Sequence, residues 1–196
     1  GPARLAGQGG DAGILDAACR EMIVERALAL VREVGHRGNE AAALNTLGLL
    51  YLRRGRPADA RRAFEQTLAA VTDLGDRLHQ GTVQAELADL SLGEGEMDEA
   101  LELYRRALEI AREVKSPVDE GAALRGLASR ELLATGDTGG VAEMIAESER
   151  VLEGTPNNEE LCKVVCLRGH AALARGDDAE TTLERARTLA RKAGAA

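Results

Sequence analysis

The sequence predicts an all-α fold, an α-solenoid of antiparallel helical hairpins with about nine helices. Three observations predict it. First, one unit of sequence recurs at a constant offset: Ala100-x-x-x-Tyr104 repeats Ala60-x-x-x-Phe64, Gly95 repeats Gly55, and Leu87-Ala88 falls on Leu47-Gly48. A fixed period of this length marks a stack of like units, each burying its apolar face on a neighbour. Second, the apolar residues follow helical spacing, and no stretch alternates Val, Ile or Thr as a half-buried strand would. Third, 44% of the 196 residues are hydrophobic, yet there are only one Phe, two Tyr and no Trp. Abundant Ala and Leu with few aromatics suit closely packed helices better than a β sandwich.

Taken in order, residues 1–13 are rich in Gly and Ala and read as a flexible tail. The opening Gly1-Pro2 reads as a protease-cleavage remnant, which points to a fragment of a longer protein. Residues 14–34 form a leading helix with the apolar stripe Leu15, Cys19, Ile23, Ala27, Leu30 and Val34. Its end, Val31-x-x-Val34-Gly35, lies one period before Val71-x-x-Leu74-Gly75, so it matches the second helix of a hairpin.

Four hairpins follow, at about 39–75, 78–115, 117–154 and 157–193, so that 14–193 reads as a single domain. Pro57 opens a second helix, because its fixed φ suits a first helical position, and Gly75 stops it. Ser116-Pro117 and Thr155-Pro156 each read as a cap followed by a preset first turn. Gly136 stands one position beyond two full periods from Gly55, which marks a single insertion. The last helix takes the stripe Ala179, Leu183, Ala186 and Ala190.

The clearest unit is Leu44-x-x-Leu47-Gly48-x-x-Tyr51, then Gly55, then Ala60-x-x-x-Phe64. Small Gly48 and Ala60 let two helices approach, while Leu44, Leu47, Tyr51 and Phe64 fill the space around them. This spacing resembles the tetratricopeptide repeat, with Leu44 where Trp usually stands. The longer period is similar to the extended repeats of bacterial regulators. The resemblance implies a right-handed solenoid, a non-catalytic role and a protein or peptide ligand held on the concave face. In the family that face is lined by first helices, through positions counted from the small residue of each repeat. Set on Gly48, Ala88, Ala128 and Gly169, those positions carry over to Asn45, Leu49 and Arg53, to Glu86 and Asp89, to Arg125 and Ser129, and to Lys163, Cys166 and His170. The Lys/Asn clamp by which chaperone-binding members hold a terminal carboxylate does not match at Asn45 and Leu49, so that ligand is not expected.

The chemistry of these side chains fits such a surface. The Asn45 amide both donates and accepts, as an extended peptide backbone requires. Arg125 and Lys163 suit a carboxylate, and Glu86 with Asp89 suits a basic segment. A net charge of −8 argues against sequence-independent nucleic-acid binding, which wants a basic face. No apolar run is long enough to span a bilayer and no signal peptide is visible. Three cysteines without framework spacing fit a reducing, cytoplasmic compartment.

Cys162, Cys166 and His170 share one helix face at i, i+4 and i+8. The ends of that span lie about 12 Å apart, too far for one ion to bridge. No metal, no cofactor and no catalytic constellation is therefore expected. Two other functional readings stay open: a sensor for a small molecule or signal peptide, and self-association as a homodimer through apolar surface at the solenoid ends.

Overall fold

A computed structural model describes residues 8–136 and 138–194, with side chains from residue 19 onward except at Thr138. Among them are nine α-helices and no strand. They are α1 (Gln8–Val34), α2 (Arg37–Arg53), α3 (Pro57–Asp73), α4 (Arg77–Glu94), α5 (Met97–Val114), α6 (Pro117–Thr135), α7 (Thr138–Leu152), α8 (Asn158–Arg175) and α9 (Glu180–Gly194). The all-α helical-repeat solenoid class read from the sequence is the class of the structure. The helices divide into two compact units, Gly1–Asp76 and Arg77–Ala196.

Helix ends follow the repeat. Gly35, Gly55, Gly75, Gly95, Gly136, Gly154 and Gly176 all have positive φ and stop the helices before them. Lys115 stands one period after Gly75 and takes the same left-handed conformation, with φ 57°, although it carries a side chain. At helix starts, Pro57 and Pro117 are first residues, and the Ser116 hydroxyl accepts from the Asp119 N–H. The fourth hairpin differs from expectation. Thr155 donates back to the Leu152 carbonyl, and the α8 cap is Asn157, whose Oδ1 accepts from the Glu160 N–H at 3.0 Å. An Asn side chain at the cap satisfies a donor that the Thr-Pro pair leaves open.

In the N-terminal unit, Leu44 and Leu47 of α2 pack on Leu28 of α1, and Ala41 packs on Ala70 and Val71 of α3. Gly48 lies against the fully buried Phe64 ring. A Cβ there would stand 2.3 Å from Phe64 Cε1, so the helices touch where the sequence places its small residue. Helix α1 begins at Gln8, within the stretch read as a tail; residues 1–7 of that stretch lie outside the described residues. Extending a formed helix costs far less than nucleating one, so the early start needs no packing of its own.

The apolar stripe of α1 does not face α2. Cys19, Ile23, Ala27, Leu30 and Val34 are exposed, whereas Glu21, Val24 and Leu28 turn inward. Leu15 lies outside the described side chains. The stripe corresponds to Ala63, Thr67 and Ala70 of α3, which are buried in the α2–α3 hairpin. The α1 side chains at those positions meet no equivalent helix among the described residues and instead border the face that α2 covers.

In the C-terminal unit, Tyr104 is fully buried with Ala88 and Ala100, and Val141, Ile145, Leu152 and Val164 form the next core cluster. Gly126 of α6 packs on the Tyr104 ring, where a Cβ would stand 2.0 Å from Cε1. The last hairpin closes through Val165, Ala186 and Leu189. Leu189 therefore takes the place expected of Ala190, and Leu183 is exposed. Ala179 and Ala186 are buried as expected, so only the last position moves, and there the larger side chain goes inside.

Candidate partner-binding face

Helices α4, α6 and α8 lie side by side in the C-terminal unit. Asp89, Arg125 and Glu160 are not equivalent repeat positions, since each stands about one helical turn short of a full repeat step from the one before, and they fall in one row across the three helices. Arg125 Nε donates to Glu160 Oε1 at 2.6 Å, and its Nη2 reaches Asp89 Oδ2 at 3.5 Å. Tyr104 of α5 donates its hydroxyl to Asp89 Oδ1. Lys163 extends the row, with Nζ 3.2 Å from Glu160 Oε2 and 3.1 Å from Glu159 Oε1.

The electrostatics follow from depth. The Arg125 side chain is only 16% exposed. Burial alone would disfavour its charge, but Asp89 and Glu160 more than offset this and push its pKa up. Burial raises the Tyr104 pKa, and the Asp89 charge and hydrogen bond add to it, so the phenol stays protonated. For Lys163 the loss of solvation is outweighed by Glu160 and Glu159, again raising the pKa. The row is a fixed ladder of alternating charge (two carboxylates on one buried guanidinium, then a half-exposed ammonium).

The sequence-predicted residues divide into two kinds. Asp89, Arg125 and Lys163 come together in the ladder. Ser129 sits one turn beyond Arg125 and donates to its carbonyl at 2.9 Å, so it is committed to its own helix. Glu86 is partly buried on α4, Cys166 is half-buried on α8, and His170 is exposed. In the N-terminal unit, α2 carries Asn45, Leu49 and Arg53. Leu49 and Arg53 are exposed, whereas Asn45 is half-buried and its Oδ1 has no hydrogen-bond partner.

The expectation that Arg125 offers its guanidinium to a ligand carboxylate is corrected in one respect: Glu160 and Asp89 of its own chain already occupy it. Glu160 and Tyr104 were missed as members of the row. The repeat did not signal Glu160, which lies short of a full repeat step after Arg125, and a glutamate in a first turn reads as a helix-start charge. Leu133 near the end of α6 and Leu173 near the end of α8, two to three turns along their helices from Arg125 and Lys163, are both well exposed. Asp89 keeps 48% of its side chain open to solvent.

Cys162 and Cys166 are half-buried against Ala186 and Leu189 of α9. Cys162 Sγ donates to the Ala186 carbonyl at 3.4 Å, and burial, then Cys166, raises its thiol pKa. Among the described residues no group of three or more His, Cys, Asp and Glu is placed to hold a metal ion, and no helix is long and apolar enough to cross a membrane.

Comparison with known proteins supports the repeat. Two tetratricopeptide-repeat family models match in succession, over residues 21–73 and 85–118. The comparison with curated proteins returns no match. Among solved structures, BtubC from P. vanneervenii superposes with a TM-score of 0.72 at 19% identity, covering 91% of this chain and 75% of its own. The nearly identical TPR-like repeats of a kinesin-light-chain candidate from Podosopora anserina give 0.64 at 18% identity, over 92% of this chain and 89% of that one. A signal-transduction ATPase with a tetratricopeptide-repeat sensor, from Pyrococcus horikoshii, gives 0.66 at 16% identity, over 88% of this chain but 27% of that longer one. Helical scaffolds of this kind typically mediate protein interactions. The paired family matches, the seven left-handed glycine stops and the nine-helix repeat place the chain in the tetratricopeptide-repeat superfamily.

Proposed function

We propose that the chain is a non-catalytic scaffold that binds a protein or peptide segment across α4, α6 and α8, as a regulatory module of a larger protein. The observation that carries this reading is the Asp89–Arg125–Glu160–Lys163 ladder, with Leu133 and Leu173 exposed farther along α6 and α8. Apolar side chains on rigid helices supply affinity, and a row of charges held in place sets register at little ordering cost. The open edge of Asp89, with Glu86 and Glu159 nearby in the row of first helices, favours a partner segment bearing Lys or Arg. The buried guanidinium offers little to a carboxylate.

A fluorescence-anisotropy titration of labelled peptides tests this. Basic peptides with apolar residues bind, and affinity falls with added salt, because the selecting charges are at the surface. Leu133→Asp with Leu173→Asp weakens binding at least about tenfold while helicity is unchanged. Unchanged affinity in that pair of variants places the interface elsewhere. Arg125→Ala is a poor probe here, since it unseats the buried Glu160.

A further inference from the structure

The apolar stripe that α8 sets against α7 repeats that of α2, with one large change. Leu44, Leu47 and Tyr51 of α2 cluster with Leu28 of α1. Val164, Leu167 and Ala171 stand three periods on, residue for residue, and cluster with Val141, Ile145 and Leu152 of α7. A tyrosine ring in the first stripe is a methyl group in the second. Between α7 and α8 lies a cavity of about 250 Å3, lined by Ala142, Ile145, Arg168, Ala171 and Arg175. Its floor is apolar and deep, since Ile145 and Ala171 are each 2% exposed. Its charged walls are the two arginines, two turns apart on one side of α8.

We propose that this cavity binds a small-molecule carboxylate with a compact apolar body, its charged group held between Arg168 and Arg175. Charge favours an anion. Arg168 Nη2 and Arg185 Nη1 reach the same oxygen of the buried Glu149, at 2.8 and 3.4 Å, so two guanidiniums face one carboxylate. That cluster carries a surplus positive charge, and Arg185 stays on Glu149 when Arg168 turns to a ligand. Arg175 Nε is paired at 2.7 Å with Asp177, whose side chain is 56% exposed. A pair so open to water is weak and yields to a better-placed carboxylate. Among the described residues, Arg168 commits one terminal nitrogen and Arg175 its Nε, so each keeps N–H donors for a planar carboxylate. Arg125 differs, being far deeper and held by two carboxylates of its own chain. Size favours a small molecule, because the volume falls short of the roughly 300 Å3 at which pockets for drug-sized ligands begin. The cavity shares α8 with the partner face but none of its residues, so this proposal stands apart from the function proposed above.

Benzoate is the probe, since it joins one carboxylate to a ring of the size that Tyr51 carries. Titrated into the whole chain and followed by amide chemical shifts, it binds saturably. Benzamide, of the same shape without the charge, and acetate, of the same charge without the ring, bind at least about tenfold more weakly. Arg175→Gln, which gives up only the exposed contact with Asp177, weakens benzoate binding at least about tenfold with the circular dichroism unchanged. Ala171→Tyr refills the cavity and does the same. Should that variant not fold, Ala142→Leu takes its place, because Ala142 lines the cavity from an exposed position on α7. Benzoate that does not saturate overturns the proposal, as does equal binding of benzamide or acetate, or an affinity unchanged by either the arginine or the cavity variant. A capped glutamate peptide that binds where benzoate does not overturns it too, and assigns the two arginines to a protein partner.

Discussion

Glu21 in the N-terminal unit and Glu160 in the C-terminal unit are both buried, and they are held differently. Glu21 of α1 accepts from Arg54 and, at 2.8 Å, from Arg56. Those arginines flank the α2–α3 turn, with side chains 32% and 42% exposed, and Arg56 also lies over the Tyr51 ring at 4.5 Å. Glu160 is held chiefly by Arg125, which is 16% exposed and sits in the middle of a helix between two carboxylates. Both glutamates are about equally hidden. The depth of the arginine separates the two arrangements. A rim arginine is screened by water and backed up by a second one. The buried arginine has neither, so its loss leaves a desolvated carboxylate with only the half-exposed Lys163 beside it.

That contrast can be broken at its strong end first. Arg125→Ala costs about 3 kcal/mol in denaturant unfolding, the lower end of the usual penalty for breaking a buried pair, because Lys163 remains. If the loss is instead similar to that of a rim arginine, water reaches Glu160 and the contrast fails. Next in size is overpacking. Gly126→Ala drives a methyl group into the fully buried Tyr104 ring beneath Arg125 and costs about 1–3 kcal/mol. Gly48→Ala does the same to Phe64 in the other unit, so the two values should be alike if packing, and not the charge ladder, sets them.

The tyrosines sharpen the comparison through pH. Burial raises the pKa of both Tyr104 and Tyr51 above the ordinary 10.0. A raised folded pKa means that the folded state keeps its proton where the unfolded state has lost it. The stabilisation is therefore full below pH 10 and is lost as pH rises above it, by at most about 1.4 kcal/mol per pH unit for one group. Tyr104→Phe flattens the alkaline slope of stability more than Tyr51→Phe does, because Tyr104 is the deeper group. Smaller still, Arg54→Ala costs about 1 kcal/mol or less, with Arg56 left on Glu21. The smallest effect runs the other way. Lys115→Gly relieves the one left-handed side-chain residue found among the described residues and stabilises by up to about 1 kcal/mol in a thermal melt, net of the freedom Gly restores to the unfolded chain.

The sequence carried the fold further than the site. Period, helix stops and the Gly48–Phe64 contact were legible, because a repeat states each of them more than once. The α1 stripe was legible as a pattern, but spacing identifies an apolar side of a helix without saying what covers it. Thr155-Pro156 lost its role to Asn157, since two good caps stood next to each other and only backbone geometry chooses between them. The ladder was half visible. Asp89, Arg125 and Lys163 follow from counting positions, whereas their mutual pairing depends on how far each helix is rotated against its neighbour, and the insertion ahead of Gly136 shifts that rotation after α6.

The left-handed stops also govern which length changes the chain tolerates. One residue added inside a helix turns everything after it by about 100° and moves a buried stripe off its neighbour. The same residue added just before a stop only lengthens the end of a helix, as α6, one residue longer than α4 ahead of Gly136, shows. Scanning single-residue insertions along the chain should therefore give survivors clustered about twenty residues apart, an error-tolerance map drawn by backbone handedness and not by exposure alone.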